Sequence, residues 1–246
     1  MSFYVLIFGA GFFAGIINVM AGGGSLLTLP ILMFLGLPAP LANGTNRVAL
    51  VMQNIAAVEG FRRNEIWDPK SGISLALAMI PGAVAGALVA IRVPEDVFRT
   101  ILAAVLIVAV ITMLRPQPQR TESITPSKFR RRWAYLALVG VGFYGGFIQA
   151  GVGLLLIAVL YQLLGFTLVW VNMYKVLIVG VYLVPTLVIF HFSSNVDWAT
   201  GFILGLGNAG GALVSTHISV KGGERVIRYF ISAALILMAL RLLAVV

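Results

Sequence analysis

Two basic residues stand inside long apolar stretches of this chain: Arg47 within LANGTNRVALVMQNIAA and Lys175 within VNMYKVLIVGVYLV. All eight Asp and Glu residues fall in loops or near the ends of apolar stretches, so neither cation has a carboxylate beside it along the chain. A charge held at membrane depth is costly and marks function by default. Two cations without a resident counter-ion call for negative charge from outside, which makes a small anion the natural guest. The competing reading of each side chain is that it snorkels to the nearer interface.

Two glycine clusters supply the other half of such a site. Gly22, Gly23 and Gly24 interrupt the first apolar run, and Gly151 and Gly153 interrupt a run in the middle of the chain. The apolar stretches that follow are short, over 24–36 and 152–165. Thirteen helical residues reach only ~20 Å, against a hydrocarbon core ~30 Å thick, so these stretches predict half-helices or re-entrant arms. Half-helices starting at the breaks would turn backbone N–H groups and a positive dipole end toward the centre. Amides of Asn18, Asn43, Asn46, Gln149 and Asn172 and hydroxyls of Thr45 and Tyr174 are the further donors within reach. Together with Arg47 and Lys175 these residues form the candidate substrate site, suited to a small tetrahedral or planar oxyanion. Glycine also serves close helix packing in membranes, which is the reading of the Gly82/Gly86 and Gly207/Gly211 pairs.

The elements that must position these groups follow from composition. The 246 residues are 60% hydrophobic and 10% charged, with mean hydropathy +1.02, whereas a soluble domain carries about 25% charge. Recurring apolar runs near 20 residues predict an all-α polytopic membrane protein. The formal charge of +9 sits in the short loops, as in cytoplasmic loops, so nucleic acid is not the expected partner; the lipid bilayer is. The chain has no cysteine, and its two histidines, His191 and His217, are too far apart for a metal-ligand spacing. No cofactor is called for, and no nucleophile–base–carboxylate set is present, so an enzyme is not expected.

Helices are predicted over 3–20, 24–36, 39–61, 71–91, up to Leu114, 133–150, 152–165, 167–192, 198–217 and 224–244. Residues 115–132 are polar and strongly basic, which makes them a cytoplasmic linker between 1–114 and 133–246. The two parts correspond. Gly11-Phe12-Phe13-Ala14-Gly15 aligns with Gly142-Phe143-Tyr144-Gly145-Gly146, setting Asn18 opposite Gln149, and Asn43 falls opposite Asn172. GAVAGALV at 82–89 matches GNAGGALV at 207–214, and Glu95, Val97 and Arg99 match Glu224, Val226 and Arg228. Loops with Arg62, Arg63 and Lys70, and with Lys221, Arg225 and Arg228, fall inside when the linker does. Five segments per half is odd, so the halves are expected as inverted repeats with short broken or re-entrant helices. Both termini are then outside, where Arg241 can snorkel.

At these same residues the chain resembles the sulfite exporter TauE/SafE family. The resemblance rests on Gly15 to Gly24 with its glycine triplet, Leu29-Pro30, Asn43-Gly44-Thr45-Asn46 and the repeat around Gln149, and it runs over the whole chain. It implies an integral membrane transporter of small sulfur-containing or organic anions such as sulfite, sulfoacetate or other sulfonates. The expected function is a secondary transporter that exports such an anion across the bacterial inner membrane by alternating access. An anion channel and a proton-coupled importer of a small organic anion are the alternatives. Monomer and homodimer are both open.

Overall fold

The computed structural model describes residues 2–114 and 123–219. These residues form nine α-helices and no strand among the described residues. The segment expected over 224–244 lies outside them, as do Lys221, Glu224, Arg225, Val226, Arg228 and Arg241.

Local chemistry sets most helix ends. Helix α1, Ser2–Ala21, stops where Gly22 turns left-handed at φ +73°, a conformation open to glycine because no Cβ crowds the backbone. After that break, α2 covers Ser25–Phe34 with Pro30 inside it. Helix α3, Ala39–Arg63, begins behind Pro38, and α4, Pro69–Ala90, is capped by Asp68, whose carboxylate accepts from Ser71 N at 3.3 Å. Helix α5, Glu95–Leu114, opens on Glu95 and Asp96, acids that favour the positive end of the helix dipole. Helix α6 is Lys128–Phe147, α7 is Val152–Ala158, and a π-helical turn follows at Val159–Leu163. Helices α8, Leu168–Phe192, and α9, Trp198–Ser219, complete the described chain.

Helix α6 starts five residues before its expected position. The Ser127 hydroxyl accepts from Arg130 N at 3.3 Å and caps the helix, so Lys128, Arg130, Arg131 and Arg132 lie on its first turns rather than in the linker. The short segments end a little earlier than expected: α2 stops at Phe34, and α7 with its π-helical turn stops at Leu163.

Three of the described helices are long and apolar enough to cross a membrane, over Tyr4–Ala21, Pro69–Ala90 and Leu168–Phe192. The distribution of side chains fits lipid as the solvent. Val5, Phe13, Leu77, Val108, Phe202 and Leu206 are exposed, while Asn43, Asn46, Arg47, Gln53, Gln149 and Lys175 are buried. A protein dissolved in water shows the opposite tendency. Eight of the ten residues of α2 are buried, which shelters the broken backbone from hydrocarbon as membrane-depth irregularity requires.

Close helix contacts fix the directions. A Cβ on Gly11 or Gly15 would strike the backbone of Leu204 or Asn208, and one on Gly207 or Gly211 the backbone of Phe8 or Phe12. Helices α1 and α9 therefore run side by side in the same direction. Gly142 and Gly146 meet Met79 and Ala83 in the same way, and Gly82 and Gly86 meet Val139 and Phe143, so α4 and α6 are likewise parallel. The expected packing role of these glycine pairs is what the contacts show. Helices α3 and α8 cross the centre antiparallel: Thr45 near the start of α3 bonds Asp197 beyond the end of α8, and Tyr174 near the start of α8 bonds Asp68 beyond the end of α3.

Candidate functional site

The two breaks meet at the middle of the molecule. A Cβ built on Gly22 would stand 2.6 Å from the carbonyl carbon of Gly153, and one on Gly153 would stand 2.5 Å from Gly22 Cα. The backbones thus touch with no side chain between them. The Ser25 hydroxyl at the head of α2 accepts from Gly151 N at 3.2 Å and ties one break to the other. Gly151 itself is left-handed at φ +72° and caps α7. Gly24 is closed in by Ala14 and the Asn18 side chain, and Gly23 is buried beside it.

A narrow cavity lies beside this contact. It is lined by Asn18, Ser25, Gln53, Asn54, Gln149, Gly153 and Lys175, with apolar walls from Leu50, Val152, Val176 and Val179. Its volume of about 10 Å³ for the centre of a water molecule matches a single water. The Lys175 ammonium donates to Val19 O at 2.8 Å and to Asn172 Oδ1 at 2.9 Å. Val19 belongs to the last turn of α1, whose carbonyls carry the negative end of the helix dipole. Asn18 Nδ2 donates to Gln53 Oε1 at 3.2 Å, and Asn54 Nδ2 returns to Leu50 O at 2.7 Å.

Gln149 is different. It is fully buried, its backbone sits at φ +63°, and neither its amide nitrogen nor its amide oxygen has a hydrogen-bond partner among the described residues. Buried polar groups are nearly always paired, and a left-handed non-glycine residue costs of order 1–3 kcal/mol. A strained residue with two unmet polar atoms thus lies on the cavity wall.

Arg47 is held elsewhere. Its guanidinium is completely buried and donates to Gly146 O at 2.5 Å, Thr186 Oγ1 at 3.0 Å, Gly145 O at 3.4 Å and Asn43 Oδ1 at 3.5 Å. Its central carbon lies 4.3 Å from the Phe190 ring centroid, a cation–π contact. Gly145 and Gly146 belong to the last turn of α6, so the negative end of that helix stands where a carboxylate was missing. This differs from the expectation of an uncompensated cation: both terminal nitrogens of Arg47 have acceptors, while its Nε has none among the described residues, Asn43 belongs to its shell, and the residue does not line the cavity. Asn43 also donates to Phe147 O at 2.8 Å.

The remaining expected site residues are dispersed. Asn46 accepts from Thr28 Oγ1 at 2.7 Å, which holds α3 to α2. The Thr45 hydroxyl accepts from Asp197 N at 2.9 Å, and the Tyr174 hydroxyl donates to Asp68 Oδ2 at 2.8 Å. Both therefore fasten the caps of α9 and α4 rather than the cavity. The Ser71 hydrogen bond, followed by that of Tyr174, holds the Asp68 carboxyl below the usual carboxylate range. The structure thus gathers Asn18, Gln149, Gly153 and Lys175 at the cavity, with Gly22, Gly151 and Asn172 just behind. It adds Ser25, Gln53 and Asn54, which the expected site did not include. A signal for Gln53 existed, since it lies seven residues beyond Asn46 and hence on the same face of α3. No group of three or more His, Asp or Glu suited to a metal occurs among the described residues.

Comparison with known proteins agrees with this picture. The chain is 31% identical to a probable membrane transporter protein, ORF9, of a Sinorhizobium species, over 99% of this chain and 94% of that one. It is 29% identical to the probable membrane transporter protein YfcA of Escherichia coli strain K12, over 97% of this chain and 88% of the relative. A probable membrane transporter of Haemophilus influenzae is 24% identical over 91% of this chain and 88% of its own length. No solved structure matches. These relatives carry the names of transporters and not of enzymes. A family model described as Sulfite exporter TauE/SafE matches residues 7–242, and the chain belongs to that family of multi-pass membrane transporters.

Proposed function

We propose that this transporter exports a small anion, such as sulfite, sulfoacetate or another organosulfonate, across the bacterial inner membrane by alternating access. The observation that carries the reading is that a cationic residue, Lys175, and Gln149, whose amide is unpartnered among the described residues, line one buried cavity. The cation supplies attraction, and the amide supplies orientation. Arg47 serves as a strut between α3 and the end of α6, keeping the second break in place.

Two inverted repeats, 1–114 and 133–246, are the moving parts in this account. The packing supports that reading, because the contacts of α1 with α9 and of α4 with α6 exchange when the halves are exchanged. The bonds of Thr45 and Tyr174 to the opposite loops exchange in the same way. Rocking one repeat against the other would open the cavity to each side in turn. An interior-negative potential drives each negative charge outward with about 2.3 kcal/mol per 100 mV, so export needs no coupling ion. On the same reading the polar linker ahead of α6 lies in the cytoplasm and both termini outside.

The test is uptake of sulfite, sulfoacetate and sulfate into liposomes holding the purified protein, with a set membrane potential. Saturable, potential-driven flux that Lys175→Gln abolishes is expected. Wild-type flux in that variant would end the proposal.

A further inference from the structure

The carrier reading leaves open the ionic form in which the guest is bound, and the cavity's inventory of charge and hydrogen-bonding groups limits it. We infer that the site takes a monovalent oxyanion that also carries an O–H group, either the protonated form of a divalent acid or a hydroxylated sulfonate, with Lys175 on the anionic oxygens and Gln149 Oε1 accepting from the hydroxyl. The inference rests on the carrier reading and names its substrate class.

Charge comes first. Among the described residues, Lys175 is the single cationic side chain on the cavity wall, and no Asp or Glu lines it. The ammonium already gives part of its field to the C-terminal end of α1 through Val19 O and to Asn172 Oδ1. Arg47, the other interior cation, is fully buried off the cavity and engaged by Gly145, Gly146, Thr186 and Asn43. The described residues therefore turn one positive charge toward a guest. A dianion would keep a full negative charge unmatched in a low-dielectric interior, which is strongly unfavourable.

Hydrogen bonding gives the second limit. A fully ionised sulfonate or carboxylate offers acceptors only, and would satisfy Gln149 Nε2 while stranding Oε1. Both amide atoms lack a partner, so either assignment of nitrogen and oxygen leaves one donor and one acceptor to be met. A guest with an anionic oxygen and an O–H meets both. The other amide oxygen placed at the wall with a defined partner, Gln53 Oε1, already accepts from Asn18. A site built around a hydroxyl rejects analogues that lack it far better than an apolar pocket rejects an added group.

The experiment uses the purified full chain in liposomes with three probes: sulfite, 2-hydroxyethanesulfonate and ethanesulfonate. One elementary charge moves per sulfite, read from the reversal of flux against an imposed potential, and the rate at fixed total sulfite rises as pH falls through its second ionisation. The hydroxylated sulfonate is carried at least about tenfold better than ethanesulfonate, the ratio expected for one hydrogen bond of about 1.4 kcal/mol. In Gln149→Leu that ratio falls to about one, whatever the absolute rate. Two charges per sulfite, or no discrimination by the wild-type protein, overturns the inference while leaving the carrier intact. Wild-type discrimination unchanged in Gln149→Leu overturns the role of Gln149. No saturable flux of any probe overturns the carrier reading and the inference with it. If Gln149→Leu does not fold, the charge count and the wild-type ratio still decide.

Discussion

Alanine in place of Gly153 separates close contact at the breaks from ordinary helix propensity, because the two predict opposite signs. Gly153 is the second residue of α7, and in a free helical position Gly→Ala stabilises by roughly 0.5–1 kcal/mol. Here the new Cβ would stand 2.5 Å from Gly22 Cα and 2.6 Å from Gly22 O, both backbone atoms that no rotamer change can move. Overpacking of this kind costs about 1–3 kcal/mol, so Gly153→Ala should destabilise by up to about 2.5 kcal/mol on balance. Gly22→Ala meets the same clash at 2.6 Å and adds a left-handed backbone at φ +73°. That conformation costs a further 1–2 kcal/mol, roughly, for a total of about 2–5 kcal/mol. Once one Cβ has pushed the breaks apart the second meets less resistance, so the double variant should cost less than the two changes added together. Denaturation of the purified protein in one detergent gives all three values. Gly140→Ala is the control, since nothing lies within 4 Å of its Cβ, and it should be neutral or slightly stabilising. A stabilised Gly153→Ala, or a strictly additive double variant, would refute the contact between the breaks.

Other perturbations separate the strut, the cavity and the caps. Arg47→Gln should lower stability by about 1–3 kcal/mol for each acceptor it strands, while the substrate KM of the folded fraction stays near wild type; a raised KM with unchanged stability would put Arg47 in the binding site after all. Asp68→Ala should cost about 0.5–2 kcal/mol as a lost N-cap, measured by thermal unfolding, and Asp197→Ala, which removes the acceptor of Thr200 N and Thr200 Oγ1, should behave alike. The Asp68 carboxyl has a lowered folded-state pKa, so its contribution is present above the unfolded value of about 3.9 and disappears as pH falls through the lower folded value. Asp68→Asn should accordingly flatten the acid limb of a stability–pH curve and leave the neutral range unaltered in slope.

The sequence disclosed the helix breaks because Gly22–Gly24 and Gly151–Gly153 interrupt runs that would otherwise continue, and the structure has helices ending and restarting there. It disclosed Lys175 and Gln149 for the same reason, as polar residues where lipid-facing ones would be ordinary. Arg47 was harder. The groups that compensate it are the carbonyls of Gly145 and Gly146 together with Thr186, and a backbone acceptor leaves no mark in residue type. The start of α6 was obscured by its own chemistry, since four basic residues among the first five of the helix oppose its dipole, and the Ser127 cap is a single residue within a proline-containing polar stretch. Thr45 and Tyr174 had the right composition for a binding site but point to the loops of the opposite half, which only the antiparallel crossing of α3 and α8 reveals.

The account stands on an anion resting against Lys175 and Gln149 between the two breaks. A crystal of the protein soaked in selenite, with data collected at the selenium edge, locates that anion directly. One anomalous peak within hydrogen-bond distance of both the Lys175 ammonium and the Gln149 amide, lost in Lys175→Gln, is the predicted result. A peak against Arg47 instead, or one at the cavity that persists in Lys175→Gln, would contradict it.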